Sequence, residues 1–275
     1  MNTERRLLPF FLLTFALSWV VFIPPFLDWI GVPTPIGGPG YNGFANFIST
    51  FGPLFAAVIL LWRDGGWRSA LGLLKSGFDF RIRPLLLGAA ILLPVATAWV
   101  ASSLVSATGI DTLPGSMVPQ DLGYPAAIWL VPAFLSMMVF GGGQEEFGWR
   151  GYAQRPMQTA LGFAGSALAL GAIWGLWHLP LWIVPGDPHV YIPFPVFVVF
   201  TMAFSVQMLW LFQLSGYKLA VPWIMHGVQN TVLIVFPVYR LDAAGPQTGL
   251  FVYVGLNILV AGLILLASAR DRRGA

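Results

Sequence analysis

The sequence contains no cysteine, and only 9% of its 275 residues are charged. The missing cysteine excludes disulfides, thiolate nucleophiles and cysteine-based metal centres, and it leaves no redox clue to the compartment. Soluble domains carry about 25% charge, whereas here 57% of residues are apolar. A soluble fold of this size could not hide that much apolar surface, so the composition describes a polytopic membrane protein. The net charge of +3 is too small for a nucleic-acid footprint. Two catalytic signatures are also missing: there is no Gly-x-Ser-x-Gly elbow and no His-Glu-x-x-His pair. Asp187 lies in a loop without a second intramembrane Asp, so an aspartyl dyad fails.

What is present is a series of apolar runs. A helix needs about 20 apolar residues to cross a bilayer, and the chain offers eight such runs. They are Leu7–Leu27, Phe47–Trp62, Pro84–Val105, Ala126–Arg155, Gly162–Val184, Pro195–Leu214, Val221–Val238 and Gly249–Ala269. The expected fold is therefore all-α: a single integral membrane domain over residues 1–275, built as a bundle of about eight transmembrane helices. The fourth run is expected to continue as helix through a charged cluster. Arg5-Arg6 ahead of Leu7–Ile23 resembles the start of a signal peptide. Pro24-Pro25 follows in place of a small-residue cleavage site, so the segment reads as a retained first span.

The basic residues support this count. With a cytoplasmic N-terminus, the inner segments hold 13 of the 14 Lys and Arg, from Arg5 and Arg6 to Arg270, Arg272 and Arg273. Only Arg240 falls outside, while Asp28, Asp111, Asp121, Asp187 and Asp242 lie in the outer loops. This satisfies the positive-inside rule. The expected location is the plasma membrane, multi-pass, with both termini cytoplasmic.

Within this apolar chain, Glu145-Glu146-Phe147-Gly148-Trp149-Arg150 stands out, because residues 126–143 before it carry no charge. Glu146 and Arg150 are four apart, share a helix face and can pair. Glu145 is rotated about 100° away and has no partner in that turn. A charge at the centre of a membrane helix costs about 2.5–3.5 kcal/mol on insertion scales and usually marks function. One paired and one unpaired carboxylate read as a brace beside a working group. The competing explanation is a charged cluster at the lipid headgroup level.

Two of the three histidines lie in apolar runs. His178 follows Gly171 and Gly175, a small-xxx-small pair that lets another helix approach closely. His226 is followed one turn later by Asn230 on the same face, and Pro222 suits the first turn of that helix. His189, in a Pro/Asp loop, reads as surface. If the fourth and fifth runs form an antiparallel hairpin, Glu145 and His178 are symmetric about Leu161/Gly162, where Pro156 and Gly162 signal a break.

Glu-Glu-x-x-x-Arg, aromatic-x-x-x-His and His-x-x-x-Asn, in this order on an eight-span chain, resemble the CPBP family of intramembrane proteases, the CAAX prenyl protease and abortive-infection group. The first motif, EEFGWRGYA, is a close match. The second usually has Phe where this chain has Trp174, and the third is intact. The resemblance covers a core of about residues 126–238. It implies an intramembrane endopeptidase that hydrolyses a peptide bond with a water activated by Glu145. In that reading His178 is the general acid/base partner, His226 and Asn230 form the oxyanion hole, and Glu146 and Arg150 are the structural brace. It also implies a peptide or protein substrate, including one with a C-terminal CAAX-like or membrane-anchored segment, and no nucleic-acid partner.

A metal-dependent version would hold zinc through Glu145, His178 and His226, a two-His, one-carboxylate set. The cofactor-free version is favoured because Asn230 suits an oxyanion better than a metal. The alternative from another class is a non-catalytic membrane protein of the same fold, either an immunity or binding factor or a carrier. A carrier would more often show two matching halves, and the sequence has no such symmetry.

Overall fold

The computed structural model describes residues 7–109, 113–119, 125–242 and 247–271. Arg5, Arg6, Asp111, Asp121, Arg272 and Arg273 lie outside the described residues. Among those described there is no strand, as the composition requires: in lipid a lone strand leaves its backbone unpaired, while a helix satisfies its own. The helices are α1 (Leu7–Trp29), α2 (Pro39–Ser49), α3 (Gly52–Ser76), α4 (Pro84–Thr108), α5 (Ala126–Val139), α6 (Arg155–Trp177), α7 (Phe194–Leu214), α8 (Ala220–Val235) and α9 (Thr248–Asp271). Proline occupies the first turn of α2, α3, α4 and α6, where its missing N–H costs nothing.

The expected eight spans do not all survive as straight crossings. Five segments are long and apolar enough, and a sixth arises if α2 and α3, bent by 43°, count as one. The expected fourth and fifth runs form one apolar segment, Ile128–Ile183, which folds back at Gly162. That residue has φ +69°, a conformation costly for any side chain with a Cβ. Trp149 packs on Trp177 with ring centroids 5.8 Å apart. Trp174 bonds Glu145 at 2.8 Å. Both contacts close around Gly162, as an antiparallel hairpin demands. The expected seventh run is the short helix α8, 16 residues long, or about 24 Å at 1.5 Å per residue.

A second departure lies in the fourth run. It was expected to stay helical from Ala126 to Arg155, yet α5 stops at Val139. Gly142 takes φ +117°, and a 3-10 turn (Gly143–Glu145), a single α-turn (Glu146–Gly148) and a π-helical turn (Trp149–Gln154) follow. Gly141-Gly142-Gly143 permits the break, and a π-turn inside a helical run often accompanies a functional site.

α6 packs on α7 through the expected glycine pair. A Cβ on Gly171 would lie 2.5 Å from the Met202 Cα, and one on Gly175 would lie 2.6 Å from the Thr201 hydroxyl. The helices touch backbone to backbone there, and His178 follows on the same face, 5.0 Å from the Phe197 ring of α7. At one end of the bundle the basic residues gather. Lys218 and Arg81 both bond Asp79, joining the α3–α4 loop to the α7–α8 loop. Those hydrogen bonds, Arg81 first, hold the Asp79 carboxyl below the ordinary carboxylate range. Nearby, the Arg155 guanidinium lies 4.8 Å over the Tyr217 ring.

The α6–α7 contact yields a stability test. Gly171→Ala forces a methyl group into the α7 backbone, an overpacking cost of about 1–3 kcal/mol. Gly88→Ala meets open space. Thermal unfolding in detergent should show a midpoint several degrees lower for Gly171→Ala and unchanged or higher for Gly88→Ala.

Candidate active site

Glu145 sits just after the glycine break and is only 2% exposed. Two indoles hold one of its oxygens: Trp149 Nε1 donates to Oε2 at 3.1 Å and Trp174 Nε1 donates to the same atom at 2.8 Å. The Trp149 bond closes the first turn, and the Trp174 bond comes across the hairpin from α6. Phe at position 174 would leave Oε2 with one donor in place of two. The other oxygen, Oε1, is left to face the cavity.

Glu146 points elsewhere. Its carboxylate takes Arg150 Nη1 at 3.1 Å and His226 Nδ1 at 2.8 Å. The expected brace is therefore present, and it has a third member that the sequence did not reveal. Arg150 is fully buried and also lies 5.2 Å over the Trp174 ring, a cation–π contact that partly replaces lost hydration. With its Nδ1 tied to Glu146, the His226 imidazole is fixed in rotation and presents Nε2 to the cavity.

α8 is anchored to the break by two further bonds. Trp223 Nε1 donates to the Met138 carbonyl, and Asn230 Nδ2 donates to the Gly141 carbonyl, each at 2.6 Å. An NH₂ has two hydrogens, so Asn230 keeps one for another acceptor. These restraints bring three polar atoms to one point. A Cβ built on Gly142 would stand 2.9 Å from Asn230 Nδ2, 2.9 Å from His226 Nε2 and 3.3 Å from Glu145 Oε1. The space that Gly142 leaves is thus the size of one water or one carbonyl oxygen, ringed by a carboxylate, an imidazole and an amide.

His178 is not in this ring. It lines the same cavity, which has a volume of about 410 Å³. Its Nδ1 is 2.8 Å from the Trp174 carbonyl. A carbonyl only accepts, so Nδ1 carries the hydrogen and Nε2 has a lone pair free for the cavity. Across the hairpin, Trp174, one turn before His178, is the residue that bonds the Glu145 carboxylate.

His189, expected at the surface, is half-buried in the cavity wall, 6.1 Å from the His178 ring. It belongs to a polar chain that the sequence did not suggest: Asn46 Nδ2 donates to Asp187 Oδ2 and the His189 ring meets Asp187 Oδ1, both at 2.7 Å. Burial alone raises the Asp187 carboxyl, but the His189 contacts and Asn46 outweigh it and hold the group below the ordinary carboxylate range. A loop of Pro, Gly and Asp carries no periodicity from which this wall could be read. Among the described residues, no three His, Asp or Glu side chains cluster closely enough to hold a metal ion.

Removing one partner of a buried ion pair strands the other charge, at a cost of about 3–5 kcal/mol. Glu146→Gln should therefore lower unfolding stability in detergent by about that amount. Adding Arg150→Met should restore at least half of it, because the stranded cation is gone. Equal stability of Glu146→Gln and the wild type would show that Arg150 is satisfied by other groups.

No curated protein matches the chain. Residues 127–232 match the family model described as type II CAAX prenyl endopeptidase Rce1-like. That stretch runs from the start of α5 into α8 and includes every residue of the ring, the brace and His178. Over this region the chain is similar to the Rce1-like CAAX prenyl endopeptidases, and α1 to α4 and α9 lie outside the match.

Proposed function

We propose that the protein is a membrane-embedded endopeptidase in which Glu145 activates water. The observation that carries this reading is the convergence of Glu145 Oε1, His226 Nε2 and Asn230 Nδ2 on the gap beside Gly142. Water held by Glu145 Oε1 beside that gap gives the carboxylate a proton as its oxygen attacks the peptide carbonyl carbon, whose own oxygen occupies the gap. The developing oxyanion takes hydrogen bonds from Asn230 and from His226, whose ring is oriented by the Glu146 carboxylate. His178, with its open Nε2, relays the proton from Glu145 to the leaving nitrogen as the C–N bond breaks. A positioned base contributes roughly 10²–10⁴-fold, and one oxyanion donor roughly 10²–10³-fold.

The site works without metal in this reading. Asn230 directs an N–H at the same point as Glu145 and His226, and an N–H there opposes a cation. The substrate is a peptide with a membrane-anchored or C-terminal CAAX-like segment, the class implied by the family.

Profiling of a peptide library with purified protein tests the assignment. Glu145→Gln should lose cleavage by roughly 10²–10⁴-fold and Asn230→Ala by roughly 10²–10³-fold, with unfolding midpoints near wild type. Gly142→Ala should be inactive because its methyl group fills the gap. Trp174→Phe should keep partial activity, since it removes one of the two bonds that orient the carboxylate. Cleavage that survives Glu145→Gln would end the proposal. Activity should also persist in strong chelator, and a stoichiometric zinc required for turnover would overturn the metal-free assignment.

A further inference from the structure

Among the described residues the cavity is lined from one half of the bundle. At its floor lie Glu145 and His226, both buried, and its lining becomes progressively more exposed toward Met117, which is 47% exposed. The upper wall comes from α2 and from the turns joining α6 to α7 and α8 to α9, through Asn46, His189 and Tyr239. Below the floor the described residues close the bundle. Phe147 packs on Trp223 at 5.2 Å, Trp223 on Phe78 at 5.3 Å, and Phe10 on Trp149 at 5.8 Å. The Glu146–Arg150 pair, fully buried, fills the centre of that plug.

The charges are distributed along the same axis. Arg63 to Arg83, Arg155, Lys218 and Arg270 stand at the plugged end, with Asp64 and Asp79 paired among them, while Asp28, Asp187 and Asp242 stand at the open end. The described basic residue at the open end, Arg240, is paired with Asp242 at 2.9 Å. Lys and Arg in short loops set orientation by remaining on the cytoplasmic side, and Asp and Glu contribute little.

We infer that the site is loaded from the non-cytoplasmic side of the membrane, and that its substrate is an extended segment of an exported or membrane-anchored peptide bearing apolar side chains. The walls fit such a segment. Ser49, Thr50 and Asn46 make one side polar, each already donating within the protein, and Phe197, Leu233 and Leu250 offer apolar surface to side chains on the other. A substrate in the cytosol would meet the plug and the basic face. Cleavage of the loaded segment rests on the hydrolase reading, whereas the side of entry does not.

The cysteine-free sequence makes the test direct. Single variants Met117→Cys and Val190→Cys report the cavity mouth, and Lys75→Cys and Arg68→Cys report the opposite face. In intact cells treated with a membrane-impermeant maleimide, the mouth variants should label at least tenfold more than the others, and all four should label alike after lysis. The reverse pattern, or equal labelling before lysis, overturns the inference. With purified protein, a bulky maleimide at Met117→Cys should slow peptide cleavage at least tenfold, and the same reagent at Lys75→Cys should not. Loss of cleavage from the Lys75 side alone would also overturn it. If labelling follows the expected pattern but even the unmodified protein cleaves nothing, the hydrolase reading fails and the side of entry stands.

Discussion

The Glu146 carboxylate is fully buried, and it joins two groups that must not separate. Arg150 would be an uncompensated cation in the bundle without it, and His226 would be free to rotate. A buried pair of this kind is weak as a source of net stability, because the desolvation of both ions offsets most of their attraction. Its value lies in geometry. The penalty for any arrangement that parts Glu146 from Arg150 or His226 excludes such arrangements, so α8 and the segment after α5 are held in one register.

Everything at the cavity floor follows from that register. Once His226 is oriented through Nδ1, its Nε2 and the neighbouring Asn230 reach the same point, and the glycine break allows the backbone to pass them without a side chain in the way. Glu145, one residue from the brace, is turned toward the opposite side and is pinned by two indoles. Adjacent carboxylates thus have separate duties because consecutive residues on a helical turn point about 100° apart. Each carboxylate meets the residue four positions on, Trp149 for Glu145 and Arg150 for Glu146.

Much of this was legible in the chain. Apolar run lengths gave the helices, the lone polar cluster gave the brace, and Pro156 with Gly162 located the hairpin. The features that were not legible share a cause: each depends on a partner distant in sequence. A tryptophan in an apolar run reads as packing until the carboxylate that takes its N–H is known, so the sequence does not reveal that Trp149 and Trp174 both donate to Glu145. Three successive glycines were compatible with a continued helix, and only the crowding of Asn230 and His226 against Gly142 shows why the helix must stop. His189 sits in a loop without periodicity, and Asn46, which anchors it through Asp187, is far away in the chain. The family match over residues 127–232 covers the ring and the brace but ends before the last helix.

The central claim is that Glu145 acts on water and does not itself attack the peptide. A single turnover of a cleavable peptide in heavy-oxygen water, with enzyme in excess, separates the two. The account predicts one heavy oxygen in the new carboxyl group of the product and none in Glu145. Heavy oxygen in the Glu145 side chain would mean that the carboxylate attacked the peptide and was itself released by water, which contradicts the account.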